Sequence, residues 1–242
     1  MHTSRNGGIK MLKIRIADLT VGIEHAFRHI EYLTRDYLCD GEPDFTVGAT
    51  REEIDAERAV SEDDFSDGYL ESVVIYRNIA KILPRFDAFV FHGAALECRG
   101  SAVVFTARSG VGKTTHTRLW LSEFSGVDYI NGDKPIVRFI DGVPTVFGTP
   151  WQGKENYGRN TSAPLRAIYF LERGVENSAR EISSTEAVIP FVSQIYMPRE
   201  STAAALTMSL ADRLLSLVKL IRLACNTEPE AARVAYAALG DK

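Results

Sequence analysis

Eight residues, Ala107-Arg108-Ser109-Gly110-Val111-Gly112-Lys113-Thr114, stand between an apolar run, Ala102 to Phe105, and a helix-like run from Thr114 to Phe124. An apolar strand, a glycine turn and a helix in immediate succession call for an α/β layer, with the turn delivered to the edge of a sheet. The backbone N–H groups of such a turn can curl around a polyphosphate, and the helix N-terminus adds partial positive charge. In the pattern G-x-x-x-x-G-K-[ST], Lys113 reaches the outer phosphates and the Thr114 hydroxyl holds Mg²⁺. Ser109, Gly110, Val111, Gly112 and Thr115 complete the expected nucleotide-binding set. Ala107 replaces the leading glycine, which requires ordinary backbone angles there. The competing reading is an accidental glycine-rich strand-to-helix turn.

The bulk numbers bound the rest. A chain of 242 residues suits one large domain, or one with a small appendage. A net charge of −4 gives no global basic field for nucleic acid or anionic lipid. Cys39, Cys98 and Cys225 are odd in number, far apart and free of C-x-x-C pairing, so reduced thiols in a cytoplasm are expected rather than a disulfide or zinc framework. Met1 to Gly8 is polar and lacks the apolar core of a signal peptide, and a frayed end is expected. Asp212, Arg213, Lys219 and Arg222 interrupt the apolar stretch from Ala203 to Cys225, which reads as an amphipathic helix rather than a membrane span.

Residues 1–86 read as a small α/β lead-in. They comprise a strand over Ile9–Ile16, a helix near Arg28–Leu38, a strand over Phe45–Ala49, a capping box at Thr50–Glu53 and an amphipathic helix over Tyr69–Leu83 closed by Pro84. Residues 87–242 read as the loop-bearing domain. Phe89–Leu96 is a strand leading by the tight link Glu97–Gly100 into the strand before the glycine loop, a hairpin that predicts antiparallel pairing beside the loop. Val127–Ile130, Ile136–Ile140, Thr145–Gly148 and Ala167–Leu171 are further strands, with Asp141-Gly142 as a hairpin turn. The remainder reads as helical, with capping boxes at Ser183–Glu186 and Thr227–Glu230. The expected fold class is α/β, a mixed sheet with a helical C-terminus.

Phosphoryl transfer asks for positioning and charge stabilisation more than covalent chemistry. Asp133 follows an apolar strand twenty residues after Lys113, where an acid would complete the Mg²⁺ shell or accept a hydroxyl proton. Asn-Gly-Asp is equally a common turn. His92, beside Gly93 at the end of an apolar run, suits proton relay or donation to a phosphate oxygen; a core histidine is the alternative. His116, one turn into the loop helix, reads as structural or base-adjacent. In the Pro/Gly-bounded segment Gly148–Asn156, Lys154 could neutralise the transferring group and Trp151 line an acceptor pocket, or Trp151 could simply anchor a solvated loop. Asn160 and Arg166 are weaker candidates of the same kind.

Taken together, Phe91-His92-Gly93-Ala94-Ala95-Leu96, Ser109-Gly110-Val111-Gly112-Lys113-Thr114-Thr115 and Asn131-Gly132-Asp133-Lys134-Pro135 resemble the HPr kinase/phosphorylase and phosphoenolpyruvate carboxykinase superfamily, in particular its short stand-alone HPr-kinase-like members. The resemblance spans about Phe89 to Arg173. It implies a β-rich core, ATP with Mg²⁺, and phosphoryl transfer to a hydroxyl of a peptide, protein or small molecule, with homo-oligomers by analogy; the charge and the interrupted apolar stretch leave no nucleic acid or membrane partner expected. On that basis Lys113 and Thr114 match the phosphate and metal residues, Asp133 one acid of an Asp-Asp pair and His92 the strand histidine. Gly132 stands where the first acid would be. The family's Leu-Glu-Ile-Arg-Gly type segment is absent, with the Trp151–Asn156 loop in its place, so HPr itself is not the expected substrate. A nucleotide-binding sensor without turnover and a carboxykinase-type enzyme are the alternatives.

Overall fold

The computed structural model describes residues 9–240; the expectation for Met1 to Gly8 lies outside them. Two compact units divide the chain, Met1–Ile82 and Leu83–Lys242.

In the first unit, β1 (Lys10–Ile16) and β2 (Leu19–His25) form an antiparallel hairpin, and β3 (Phe45–Val47) pairs parallel with β2. The helix expected over Arg28–Leu38 is broken into α1 (His29–Leu33) and a 3₁₀ turn, Arg35–Tyr37. Thr34 lies between them, its buried hydroxyl donating to the Ile30 carbonyl, a local bond that competes with helix continuation. Helix α2 (Arg51–Val60) opens with the expected capping box, Thr50 with Glu53. It packs on α3 (Asp67–Ile82) through Ile54, Leu70 and Val74.

The second unit is an α/β fold around a mixed, partly curled sheet. Its strands are β4 (Ala88–Val90), β5 (Ala94–Cys98), β6 (Ser101–Thr106), β7 (Val127–Asn131), β8 (Ile136–Ile140), β9 (Val143–Phe147), β10 (Ser162–Arg173), β11 (Ser178–Glu181) and β12 (Lys219–Cys225). The helices are α4 (Lys113–Glu123), α5 (Ser184–Val192), α6 (Ser201–Leu217) and α7 (Pro229–Leu239). The main path runs β4-β8-β9-β10-β6-β5-β7, with β12 added beside β10 and β11 beside β12. Strand β10 produces the curl. Its first residues pair antiparallel with β9, and after an irregularity between Leu165 and Ala167 the rest pairs parallel with β6 and β12.

Both faces of this sheet are covered, so the central strands are apolar throughout rather than alternating. On β6, Ala102 and Val104 join a core with α5 and α6, whereas Val103 and Phe105 join a second core with Trp120 of α4 and Ala232 and Ala235 of α7. The β5–β6 and β8–β9 hairpins turn through Arg99-Gly100 (φ 52° and 74°) and Asp141-Gly142 (φ 48° and 86°). Two consecutive positive φ angles give the primed turn whose twist matches its strands.

Three expectations are corrected. The run Phe89–Leu96 is two strands, β4 paired with β8 and β5 paired with β6 and β7. The chain leaves the ladder at His92-Gly93, where the amides bond Gln194 O and Asp133 O instead. The helix expected over Ala203–Cys225 stops at Leu217. Val218 is extended (φ −113°, ψ 155°), and Lys219–Cys225 becomes the strand β12 between β10 and β11, so the C-terminal region is not purely helical. Finally, α7 has no capping box at Thr227: Glu228 is its N-cap without a side-chain bond, followed by Pro229, a residue pre-set for the first helical position.

Candidate active site

One edge of the sheet gathers the chemistry. Strands β6, β10 and β12 run parallel and end there at Thr106, Arg173 and Cys225. The antiparallel β5 begins there, just after His92-Gly93, and β7 ends there, just before Gly132-Asp133. The order along this edge is therefore Asp133, His92, the glycine loop, Arg173, Cys225.

The glycine loop leaves β6 at Ala107, which does not take a positive φ, as its substitution for glycine requires. Gly110 (φ 78°) and Gly112 (φ 123°) do take positive φ and have open space around them. Gly112 is the N-cap of α4 and carries no side-chain cap, so the first-turn amides are left without a capping acceptor from it. Ser109 is exposed, Val111 and Thr114 half-buried, and Thr115 exposed. Lys113 is half-buried and folds back so that Nζ donates to the Ala107 carbonyl, 3.2 Å away. Burial lowers its pKa, with the charge of Asp133 opposing that shift and Lys134 adding to it. A lysine in this condition gains from an anion.

Asp133 is held by His92 and by its own chain neighbours Asn131 and Lys134. His92 Nε2 lies 3.3 Å from Oδ1 and Lys134 Nζ 2.6 Å from Oδ2. Burial alone would raise the Asp133 pKa, but the His92 hydrogen bond and the Lys134 charge outweigh it and hold the carboxyl well below the usual carboxylate range. The backbone beneath is fixed by Asn131, fully buried, whose Oδ1 accepts from the amides of Asp133 (2.9 Å) and Lys134 (2.7 Å). The Asn131 Nδ2 donates to the carbonyl and hydroxyl oxygens of Thr149, both at 3.1 Å, and the Thr149 hydroxyl donates to Lys134 O at 2.8 Å. The turn reading of Asn-Gly-Asp holds, and the turn fixes the backbone that carries the acid.

Gly132 has a steric cause. A Cβ there would meet Tyr157 O at 3.1 Å and Gln152 O at 3.2 Å, because the 148–158 loop lies directly over it. Gly153 (φ 77°) brings the same loop against Asp133, where an added Cβ would sit 2.9 Å from the Asp133 Cβ. Lys154 follows it and is exposed. Trp151 is buried and its carbonyl accepts from Asn131 Nδ2, so it anchors the loop. Arg118 of α4 reaches across to Glu155 (2.8 Å) and to the Tyr157 hydroxyl (3.0 Å), tying this loop to the loop helix.

Other candidates are committed elsewhere. Arg166 donates to the carbonyls of Leu239 and Gly240 at the end of α7, away from any loop role. Asn160 is exposed. His116 is buried against Phe105, its Nε2 accepting from the Trp120 indole at 3.1 Å, and burial drives its pKa down to about 4. The sequence reading missed Asn131, Thr149, Lys134, Arg118 and Arg173; the last donates to Gly110 O at 2.6 Å. Of these only Asn131 and Lys134 carried a signal, as neighbours of Asp133.

Among the described residues, no group of three or more His, Cys, Asp or Glu side chains could hold a metal alone, and no helix is long and apolar enough to cross a membrane. Mg²⁺ bound with a nucleotide draws its remaining ligands from phosphates and water, so one hydroxyl and one carboxylate fit its usual demand.

No family model matches the chain, and no curated protein matches it. Among solved structures, that of the Hpr(Ser) kinase/phosphatase from Coxiella burnetii aligns with 62% of this chain and 87% of its own, at 8% identity and a TM-score of 0.36. This is a weak structural resemblance, too slight to bear on the chemistry.

Proposed function

We propose that this chain is an ATP-dependent phosphotransferase of the HPr-kinase-like kind, moving a phosphoryl group to a hydroxyl of a peptide, protein or small molecule. The observation that carries the reading is the juxtaposition at one sheet edge of a half-buried loop lysine, Lys113, and a carboxylate, Asp133, hydrogen-bonded to a histidine. These groups lie 20 and 41 residues apart in sequence, from 113 and 92 to 133, and only the strand order brings them together.

In this reading the amides of Ser109 to Thr115 cradle the phosphates and Lys113 exchanges its bond to Ala107 O for a phosphate oxygen. Mg²⁺, held by Thr114 and Asp133, would supply charge neutralisation for the transferring group. The depressed basicity of Asp133 makes it a poor proton acceptor. It instead orients His92, accepting from Nε2–H and leaving Nδ1 as the base for the acceptor hydroxyl, the division of labour of an acid–histidine pair. Lys154 and the Gly153 turn, over Asp133, bound the acceptor side. Supporting this assignment are the loop's open glycines and the engaged carboxylate.

The test is transfer of label from [γ-³²P]ATP to any component of a cell extract, followed by mass spectrometry of the labelled species. Label transfer that disappears in Lys113→Ala and falls by about 10²–10⁴-fold in His92→Gln, as expected for loss of a general base, supports the reading. ATP binding with no transfer to any acceptor would favour a nucleotide sensor instead.

A further inference from the structure

Thr114, Thr117 and Arg118 of α4 follow one another at helical spacings of three and four, so they share one stripe of the helix. Thr117 is fully buried, its hydroxyl 2.7 Å from the Tyr129 hydroxyl of β7. Arg118, the next residue, reaches the 148–158 loop. One of its terminal nitrogens donates to Glu155 Oε2 at 2.8 Å and to the Tyr157 hydroxyl at 3.0 Å. Tyr157 in turn stacks on Tyr129, with ring centroids 4.7 Å apart. Adjacent residues of the helix therefore grip a stacked pair of tyrosines, one from β7 and one from the loop.

The other end of this link is Asp133. Tyr157 O accepts from the Gly132 amide at 2.7 Å, and a Cβ added at Gly153 would fall 2.9 Å from the Asp133 Cβ. The seat of the loop on Asp133 is thus fixed from two sides, by the backbone bond to Gly132 and by Arg118. Fold stability does not explain the second tie. The Arg118 and Glu155 side chains are 54% and 50% exposed, and exposed ion pairs add little to folding. What a planar guanidinium with two directed bonds supplies is geometry.

We infer that Arg118 is a positioning residue for the acceptor: through Glu155 and Tyr157 it holds Gly153 and Lys154 over Asp133, and so sets where the acceptor hydroxyl stands relative to His92. The inference rests on the phosphotransferase reading above. It adds to that reading a residue that neither binds the nucleotide nor touches the transferring group. Lys113 and Thr114 occupy the first turn of α4, whereas Arg118 lies one turn further on and directs both bonds to the 148–158 loop. A misplacement of about 1 Å between reacting groups can cost about 100-fold in rate. Loss of the tie therefore falls on transfer, not on nucleotide affinity.

The experiment compares the wild-type protein with Arg118→Ala and with the double variant Glu155→Gln/Tyr157→Phe. Mg-ATP binding is measured by calorimetry, and label transfer from γ-labelled ATP to a cell extract is measured at saturating Mg-ATP. Affinity for Mg-ATP should stay within about 2-fold of wild type in both variants, while the transfer rate falls by about 10- to 100-fold. Combining all three substitutions should cost at most about 3-fold more than either variant alone, because the arginine acts through those two partners. Transfer rates within about 2-fold of wild type, or full additivity, would overturn the inference. So would a loss of Mg-ATP affinity as large as the loss of transfer, which would place Arg118 on the nucleotide side; each of these leaves the phosphate loop standing. If Arg118→Ala does not fold, the double variant, which keeps the arginine and the ring stack, decides by the same two measurements. A wild-type protein that binds Mg-ATP and transfers no label would remove the phosphotransferase reading and the inference together.

Discussion

Gly132 shows how much a single residue can mislead when read as a letter. By family pattern it is a missing acid; in the folded chain it is a contact point, with the carbonyls of Gln152 and Tyr157 about 3 Å from where a Cβ would stand. Gly132→Asp should therefore not improve turnover. It should push the 152–157 loop outward and cost about 1–3 kcal/mol, as overpacking does, measured by urea denaturation. A stability equal to wild type with a raised transfer rate would reverse this account. Local pattern singled out Lys113, Thr114, His92 and Asp133 as candidates, and the strand order brings their segments to one sheet edge. Asn131, Thr149 and Arg118 were not, because their work is done on backbone and side-chain atoms distant in sequence. His116 gives a pH prediction. Its pKa is lowered to about 4 in the folded chain, so the neutral ring stabilises the fold above the unfolded value near 6.5. Stability should therefore fall as pH drops from 6.5 through 4, the loss approaching on the order of 3 kcal/mol below pH 4. Urea titrations at pH 7.5 and 4.5 should show a smaller pH dependence in His116→Phe than in the wild-type protein.

At the scale of elements, local pattern sufficed where caps and turns are self-contained. The Thr50–Glu53 and Ser183–Glu186 capping boxes and the Asp141-Gly142 hairpin stand as read. It failed where tertiary pairing decides. Lys219–Cys225 has apolar residues compatible with either helix or strand, and its place between β10 and β11 selects the strand. The break at His92-Gly93 likewise depends on acceptors at Gln194 and Asp133, invisible within the segment. One link between elements is directly testable. The Tyr129 hydroxyl of β7 meets the buried Thr117 hydroxyl of α4 at 2.7 Å, and Thr117 donates back to the first turn of its helix. Tyr129→Phe should cost about 1 kcal/mol and speed amide exchange in the first two turns of α4. Unchanged exchange there would mean the link does not hold the helix start.

Across the whole molecule, the strand order does what no segment can. It lines up Asp133, His92, the glycine loop, Arg173 and Cys225 along one edge, with two covered sheet faces behind them. A ligand spanning that edge stabilises only the folded chain. Mg-ATP at about 100 times its dissociation constant should raise stability by about 2.7 kcal/mol, seen as a rise in melting temperature that Lys113→Ala abolishes. The most direct measurement is a titration of the isotopically labelled protein with Mg-ATP, followed through its backbone amide resonances. The amides of Ser109 to Thr115 should shift first and furthest, with the strands of the first unit unmoved. Saturating Mg-ATP that leaves the Ser109–Thr115 amides in place would contradict the assignment of this loop to phosphate.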